Sequence, residues 1–390
     1  MAPPRPGRRR ALPLAFLLAS LAPPTSSFQW ESVEVPGSGR RQVDLVVPDA
    51  WYATSPPPAL PLLLVLHGWG GRANLTLRAK EHTSGLGLVH GHVDEDTHWF
   101  KDGATSIADN DGKEFIIAAP QARESPDGYT YWSATDACCG CMAEDVLACK
   151  APRVGCCNFT APCFADDSTF LAQLLETVSS RFGVDRQAVQ VAGHSNGGFM
   201  AYRLACDYSR AIAAVAVVEG LVATSRGVCR PQAPVHILHV HGTSDEVIWY
   251  GPSTVNSVHV VGVLESVYRW QSHNKCKGAG QLNGTRWMQL MVPELDGSLW
   301  NQTGACPGEN QTVGLGFFEA ETEELHTAGC PPGGDVTHWR MHNRTHNNMY
   351  TVGYDYSTFT PELVRWLREH RNGTAPVPPK PRKPRRGGRG

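Results

Sequence analysis

Residues 190–206 read QVAGHSNGGFMAYRLAC. A short β-prone run, Gln190 to Ala192, meets Gly193-His194-Ser195-Asn196-Gly197-Gly198, and a helix-compatible segment follows at once. This is a G-x-S-x-G pentapeptide between strand and helix, the context in which the motif presents a nucleophile. The reason is steric. A serine on so sharp a turn takes a sparsely populated backbone conformation, and bulky neighbours would collide with the elements on either side. Glycines there let the turn close and lift the Ser195 hydroxyl to a strand's carboxyl end. Elsewhere the same pentapeptide is a common Gly-rich turn with a passive serine.

Working outward, Leu60 to Leu66 (LPLLLVL), Phe115 to Ala119 (FIIAA), Ile212 to Val218 (IAAVAVV) and Val235 to Val240 (VHILHV) are short continuous apolar runs. Bounded by Gly, Pro or His-Gly, such runs predict strands buried on both faces of a parallel sheet. Helical stripes alternate with them: Phe170, Leu174, Leu175, Val178 and Phe182; Val263, Val267 and Trp270; Leu363, Val364 and Leu367. The alternation predicts an α/β fold, with Val336 to Met341 (VTHWRM) as a last strand. Three stretches break the pattern, Gly85 to Gly112, 136–165 and 277–330, and are expected to be surface insertions on one domain.

A serine hydroxyl is a weak nucleophile and needs a base that an acid holds in place. With a strand–turn–helix nucleophile the chain order is Ser, then Asp or Glu, then His. Strand 235–240 runs into His241-Gly242-Thr243-Ser244-Asp245, which puts Asp245 beyond a strand's carboxyl end as the acid, with Glu246 as the runner-up and otherwise a solvated neighbour. Of the seven later histidines, His342 and His346 fall between the last strand and the final helix. An anionic tetrahedral intermediate also needs two convergent backbone N–H donors. Asn196, after the nucleophile, supplies one. The loop His67-Gly68-Trp69-Gly70-Gly71 supplies the other, with Trp69 as the donor. Trp132, Trp249 and Tyr250 are candidate aromatic walls for a substrate.

The chain has 390 residues. Arg5 and Arg8 to Arg10 precede an apolar run from Ala11 to Ala22, with Thr25 and Ser27 at −3 and −1 of a cleavage point. That is the layout of a signal peptide over 1–27, too short to span a membrane. The body, 28–374, is expected to be one catalytic domain. Residues 375–390 are a Pro/Gly-rich basic tail that cannot bury a core. With 4 of the 35 basic residues in the leader and 6 in the tail, the body keeps 25 against 37 acidic ones, a net of −12. So acidic a body excludes a nucleic-acid partner, and no later apolar stretch is long enough for a membrane span. Twelve cysteines in a secreted chain imply disulfides. The seven between Cys138 and Cys163 are therefore not read as a zinc site. His90, His92 and His98, among Asp94, Glu95 and Asp96, are read as an acidic surface loop rather than a metal centre. Seven N-x-S/T sequons, at Asn74, Asn158, Asn283, Asn301, Asn310, Asn343 and Asn372, fit a glycosylated surface.

Taken together, LLLVLHGWGG (62–71), YWSATDACC (131–139), ADDSTFLAQLL (165–175), VAGHSNGGFMAYRLACD (191–207), HVHGTSDEVIWY (239–250) and VTHWRMHNRTH (336–346) resemble the secreted feruloyl esterases and polyhydroxybutyrate depolymerases. The resemblance spans about 280 residues in the family's order. It implies an α/β-hydrolase fold, with a mostly parallel central sheet, helices on both faces and Cys-rich surface insertions. It implies Ser195 as nucleophile, Asp245 as acid and His346 as base, and disulfides Cys206–Cys229 and Cys276–Cys330. His239 and His241 recur in that family's strand, which reads them, with His236, as structural rather than metal-binding. No cofactor is implied. The expected substrate is a hydroxycinnamoyl ester on polysaccharide or a short polyester. A serine peptidase and a silent scaffold that only binds are the rival expectations. One departure stands out: the family's loop before the base is Gly-rich with a Trp after the His, whereas here it reads Asn343-Arg344-Thr345-His346-Asn347-Asn348. The Asn343 sequon is then expected to be unoccupied or to point away from the cleft.

Overall fold

A computed structural model describes residues 28–32, 35, 41–73, 115–124, 130–135, 166–222, 229–255, 258–278, 280–294, 314–346 and 359–372. The leader, the histidines at 90–98, the Cys-rich stretch 136–165, the basic tail and the sequons at Asn74, Asn158, Asn301 and Asn310 lie outside these residues. In chain order the elements are β1 (Phe28–Ser32), β2 (Val43–Pro48), α1 (Asp49–Ala53), β3 (Leu62–Leu66), β4 (Ile116–Pro120), α2 (Asp167–Phe182), β5 (Val189–His194), α3 (Asn196–Asp207), β6 (Ala214–Val218), β7 (His236–Gly242), β8 (Ser253–Val255), β9 (Val258–Val260), α4 (Val263–His273), β10 (Gly280–Glu294), β11 (Gly314–Thr327), β12 (Val336–Met341) and α5 (Phe359–Glu369).

Ten strands form one sheet in the order β1-β2-β4-β3-β5-β6-β7-β12-β11-β10. The inner six, β4 to β12, are parallel. Antiparallel strands flank them, β2 and β1 at one edge and β11 and β10 at the other. Every residue of β3, β4, β5, β6 and β7 is buried, which is why these segments read as unbroken apolar runs. On one face Leu64, Val191, Val215 and Ile237 pack against Phe170 and Leu174 of α2, Met200 and Leu204 of α3, and Val263 and Trp270 of α4. On the other, Leu63, Val65, Ala216 and Leu238 meet Leu363, Val364 and Leu367 of α5. A mostly parallel sheet in this order, with helices on both faces, is the α/β-hydrolase fold.

The segment 277–330, expected as a surface insertion, instead extends the sheet. β10 and β11 pair from Gly280↔Thr327 to Glu294↔Gly314, and β11 pairs with β12 from Thr322↔Met341 to His326↔Thr337. VTHWRM is the last strand of the chain, as expected, and it lies inside the sheet between β7 and β11. An antiparallel strand near an edge needs only one covered face, so GLGFFEAETEELHT carries charges at alternate places and no apolar run. Both implied disulfides are present. Cys206–Cys229 ties α3 to the segment before β7, and Cys276–Cys330 ties the end of α4 to the approach to β12.

The sheet carries buried histidines that are neutral in the fold. His67 donates from Nδ1 to Gly68 O at 2.7 Å and accepts at Nε2 from the Ala122 amide at 3.0 Å; burial pushes its pKa down to about 4. His338 donates from Nδ1 to His239 O at 2.9 Å, and burial pushes it down to about 3. In the unfolded chain both titrate near 6.5. Below that pH the unfolded state binds protons that the folded state refuses. Stability should therefore be flat above about pH 7 and fall toward pH 4, by up to about 1.4 kcal/mol per pH unit for each group. Urea unfolding midpoints measured from about pH 8 to pH 4.5 check this, and a midpoint that rises on acidification contradicts it.

Candidate active site

β5 ends at His194 and α3 begins at Asn196, which leaves Ser195 alone on the turn at φ 49°, ψ −119°. Its amide donates to Val218 O on β6 at 2.8 Å, and its carbonyl accepts from Phe199 N at 3.0 Å. The flanking glycines are sterically required. A Cβ at Gly193 would lie 2.2 Å from Gly197 O, and one at Gly197 would lie 2.3 Å from Leu66 O. The strained conformation is held by neighbours on three elements, as such strain at functional turns must be.

β7 and β12 lie side by side and parallel, so the loops that follow them open at the edge of the sheet where Ser195 stands. The imidazole of His346 bridges these loops to the serine. Its Nε2 is 3.0 Å from Ser195 Oγ and its Nδ1 is 2.8 Å from Asp245 Oδ2. His342, the other sequence candidate, faces Glu323 instead, at 3.4 Å. Asp245 Oδ1 accepts the amides of Val247 and Ile248 at 2.9 and 2.7 Å. Burial pushes the Asp245 carboxyl up, but the bonds from His241 and His346 outweigh it and hold the group well below the usual carboxylate range.

Behind Asp245 runs a buried line of donors. Tyr202 Oη lies 2.6 Å from His239 Nδ1, His239 Nε2 lies 3.3 Å from His241 Nδ1, and His241 Nε2 lies 3.2 Å from Asp245 Oδ2 and 2.7 Å from Ile248 O. One tautomer assignment satisfies the line: each group donates toward Asp245. Ser195 then donates to His346 Nε2, and His346 Nδ1–H donates to Asp245. A hydroxyl, an imidazole and an ionised carboxylate so arranged can move the hydroxyl proton to the ring as Oγ bonds to an electrophile.

The loop His67 to Gly71 passes directly beside the serine. A Cβ added to Gly68 would lie 3.6 Å from Ser195 Cβ and 3.0 Å from His194 Nδ1. The loop is pinned by Gly70 N to Thr130 O at 2.7 Å and by Thr130 Oγ1 to Gly71 O at 2.6 Å. The main chain at Gly68, next to Trp69, and that of Asn196 thus flank the nucleophile. Trp132 is not a substrate wall. It is fully buried, and its Nε1 donates to His67 O at 3.0 Å. Its backbone is gripped by the Asn196 side chain, with N to Oδ1 at 2.6 Å and O to Nδ2 at 3.0 Å. Trp132 therefore ties the loop at 67–71 to the nucleophile turn. Tyr250 is half-buried, its hydroxyl taken up by His338 Nε2 at 2.7 Å and by Arg340 Nε at 2.9 Å. Trp249 is 59% exposed on the loop after the acid.

Sequence reasoning missed Glu219. It follows β6 at φ 53° and is fully buried. Its Oε2 lies 3.1 Å from His194 Nε2 and 3.3 Å from His346 Nδ1. Burial, then the charges of Asp245 and Glu246, push its carboxyl well above the usual range. It therefore holds its proton more tightly than an ordinary carboxyl, while the bonded Asp245 gives its own up more readily. The available signal was positional: Glu219 ends an apolar strand run, as Asp245 follows one.

No family model matches the chain. Feruloyl esterase B of Piromyces equi is 30% identical over 133 residues, 30% of this chain and 24% of that protein. The bifunctional acetylxylan esterase/xylanase XynS20E of Neocallimastix patriciarum is 26% identical over 216 residues, 55% of this chain and 22% of that one. The chain thus spans about a quarter of the length of these curated relatives. Among solved structures, an acetyl xylan esterase from Aspergillus awamori superposes with a TM-score of 0.45 at 12% identity, covering 88% of this chain and 99% of that one. By fold the chain is an α/β-hydrolase, and in sequence it is similar to feruloyl and acetylxylan esterases.

Proposed function

We propose that the chain is a secreted serine esterase acting through an acyl-enzyme. The observation that carries this reading is the unbroken line Ser195 Oγ, His346, Asp245, with separations of 3.0 and 2.8 Å. Ser195 Oγ attacks the ester carbonyl carbon while His346 Nε2 takes its proton. Asp245 holds the ring by Nδ1–H and stabilises the imidazolium. The oxyanion is met by the backbone N–H groups of Asn196 and Trp69. The C–O bond then breaks, His346 hands its proton to the leaving alkoxide, and a water activated by the same ring releases the acid.

The substrate in this reading is a feruloyl-type ester on polysaccharide, in keeping with the names of the relatives, with short polyesters as the other class. Trp249, exposed on the loop after the acid, offers a flat apolar face to an aryl acyl group or a sugar ring. Tyr250 is less available, since its hydroxyl is already bonded within the protein. The leader layout and the two disulfides support an extracellular place of work.

A fluorophosphonate probe should label the mature chain and not Ser195→Ala, and that variant should lose about 10⁴-fold or more in kcat/KM. On a panel of aryl, feruloyl and hydroxybutyrate esters with one anilide, turnover should favour the esters. A chain that takes no probe is a binding scaffold, and preference for the anilide makes it a peptidase.

Glu219 generates a separate expectation. Asp245→Asn should lose less than the ~10⁴-fold that removal of a lone triad acid costs, because Glu219 can ionise in its place. The remaining activity should rise with pH as Glu219 gives up its proton, and Glu219→Gln in the same chain should abolish it. Equal rates for the single and double variants would detach Glu219 from the imidazole.

A further inference from the structure

The amino ends of the strands, at the edge opposite Ser195, gather a second set of side chains. His236 opens β7, Asp335 immediately precedes β12, and His370 immediately follows α5. Parallel pairing sets Val336 beside Ile237, which makes His236 and Asp335 neighbours by register. The His370 ring is fixed by stacking on Trp366, with centroids 3.9 Å apart and planes at 16°. One ligand-type atom from each of the three residues lies within 4.8 Å of the others.

The spacing is unusual for a hydrogen-bonded cluster. Asp335 Oδ2 is 3.4 Å from His236 Nδ1 and 3.7 Å from His370 Nε2. Charge-assisted bonds close to about 2.7–2.9 Å. Ligands on a tetrahedral ion with bonds of about 2.0–2.1 Å stand about 3.3 Å apart. Where the protons sit points the same way. His370 Nδ1 donates to Trp366 O at 2.6 Å, and His236 Nε2 faces Arg371 O at 3.4 Å. With their outer nitrogens turned to carbonyls, both rings keep the nitrogen nearer Asp335 as an acceptor. That of His236 takes the Asp335 amide at 3.2 Å, a bond that an entering ion would displace. Imidazoles backed by carbonyls in this way are the usual form of metal-ligating histidine.

We propose that His236, Asp335 and His370 form a site for a divalent transition-metal ion of the zinc type, held by two imidazole nitrogens and one carboxylate oxygen. A cavity of about 220 Å³ lined in part by His370, His326 and Thr337 adjoins the His370 side of the cluster, with room for a water as fourth ligand. Two nitrogens and a single carboxylate suit zinc and not calcium, which takes six or more oxygens. The ion would clamp the end of α5 to the starts of β7 and β12. It would sit roughly 20 Å from the triad, the length of a seven-residue strand, and so outside the esterase chemistry.

The other group with ligand geometry among the described residues, His194, Glu219 and His346, gives the test its contrast. The full mature chain, stripped with chelator, is titrated with Zn²⁺ or Co²⁺ alone. The expected result is a single tightly held equivalent, a tetrahedral Co²⁺ absorption spectrum and a raised Tm. Asp335→Asn and His370→Gln should each weaken Zn²⁺ binding by about 100-fold or more, beyond what loss of a supporting hydrogen bond costs, with ester or probe turnover unchanged as the check on folding. Asp335 is 38% exposed, so its amide variant disturbs packing least and stands as the decisive one. Absence of a tight equivalent in the wild-type chain overturns the site. So does an equivalent that both variants retain, and so does one that blocks Ser195 labelling.

Discussion

The active site depends on how the carboxylate of Asp245 is occupied. One oxygen takes two backbone amides of its own loop, and the other takes His346 and, more distantly, His241. A buried carboxylate left without such donors costs several kcal/mol, so its four donors make the charge tolerable. They also make it directional. With Oδ1 saturated by the turn, Oδ2 is committed to the imidazoles, and His346 can satisfy it only with Nε2 turned toward Ser195. The orientation of the base follows from the way the acid is solvated by the protein.

That arrangement explains a feature of the sheet that apolar patterning alone does not. β7 is buried along its whole length yet carries His236, His239 and His241. Two of them belong to the line that begins at Tyr202 and ends on Asp245. A polar group in a core is tolerable when every member of its network is bonded, and here the network terminates on the Asp245 carboxylate. His236 faces the opposite edge and belongs to a different set of neighbours. One strand thus serves two poles of the molecule, with His239 and His241 tied to Asp245 and His236 to the amino edge.

The parallel core was legible because its strands are short, fully buried and punctuated by Gly or Pro. The triad was legible for a related reason. Strand–turn–helix context singles out Ser195, and an acid after a strand singles out Asp245. His346 needed the family resemblance, since spacing left His342 equally placed. What stayed hidden had weaker local signals. β10 and β11 are strands whose faces are half polar, and a run such as EAETEELHT looks like loop. An aromatic such as Trp132 near the site can line a cleft or fill a core, and only its complete burial and the Asn196 side chain that clamps its backbone separate the two. Glu219 has no local mark beyond its place at a strand's end: the chain order Ser, acid, His calls for one acid, while the fold brings two carboxyls from adjacent strands to one ring.

The hairpin and the unusual base loop account for each other. Where the family's loop is rich in glycine, this chain has Asn343 at φ 56°, the conformation that glycine would supply. The loop is stitched to the acid loop, with Asn343 N donating to Thr243 Oγ1 at 2.9 Å, Ser244 N to Arg344 O at 3.0 Å and His346 N to Glu246 Oε2 at 3.3 Å. The fit is close enough that a Cβ on Gly242 would lie 2.2 Å from Arg344 O. Glu246, expected to be a solvated bystander, thus helps to place the backbone of the base. β11 closes the other side: Glu323 accepts from Arg340 at 2.8 Å and faces His342 at 3.4 Å, while Arg340 also donates to Tyr250. A loop without glycine can hold a base to within a hydrogen bond when strands and acid loop grip it from both sides. Asn343 itself is exposed, and it is its backbone amide, not its side chain, that Thr243 holds.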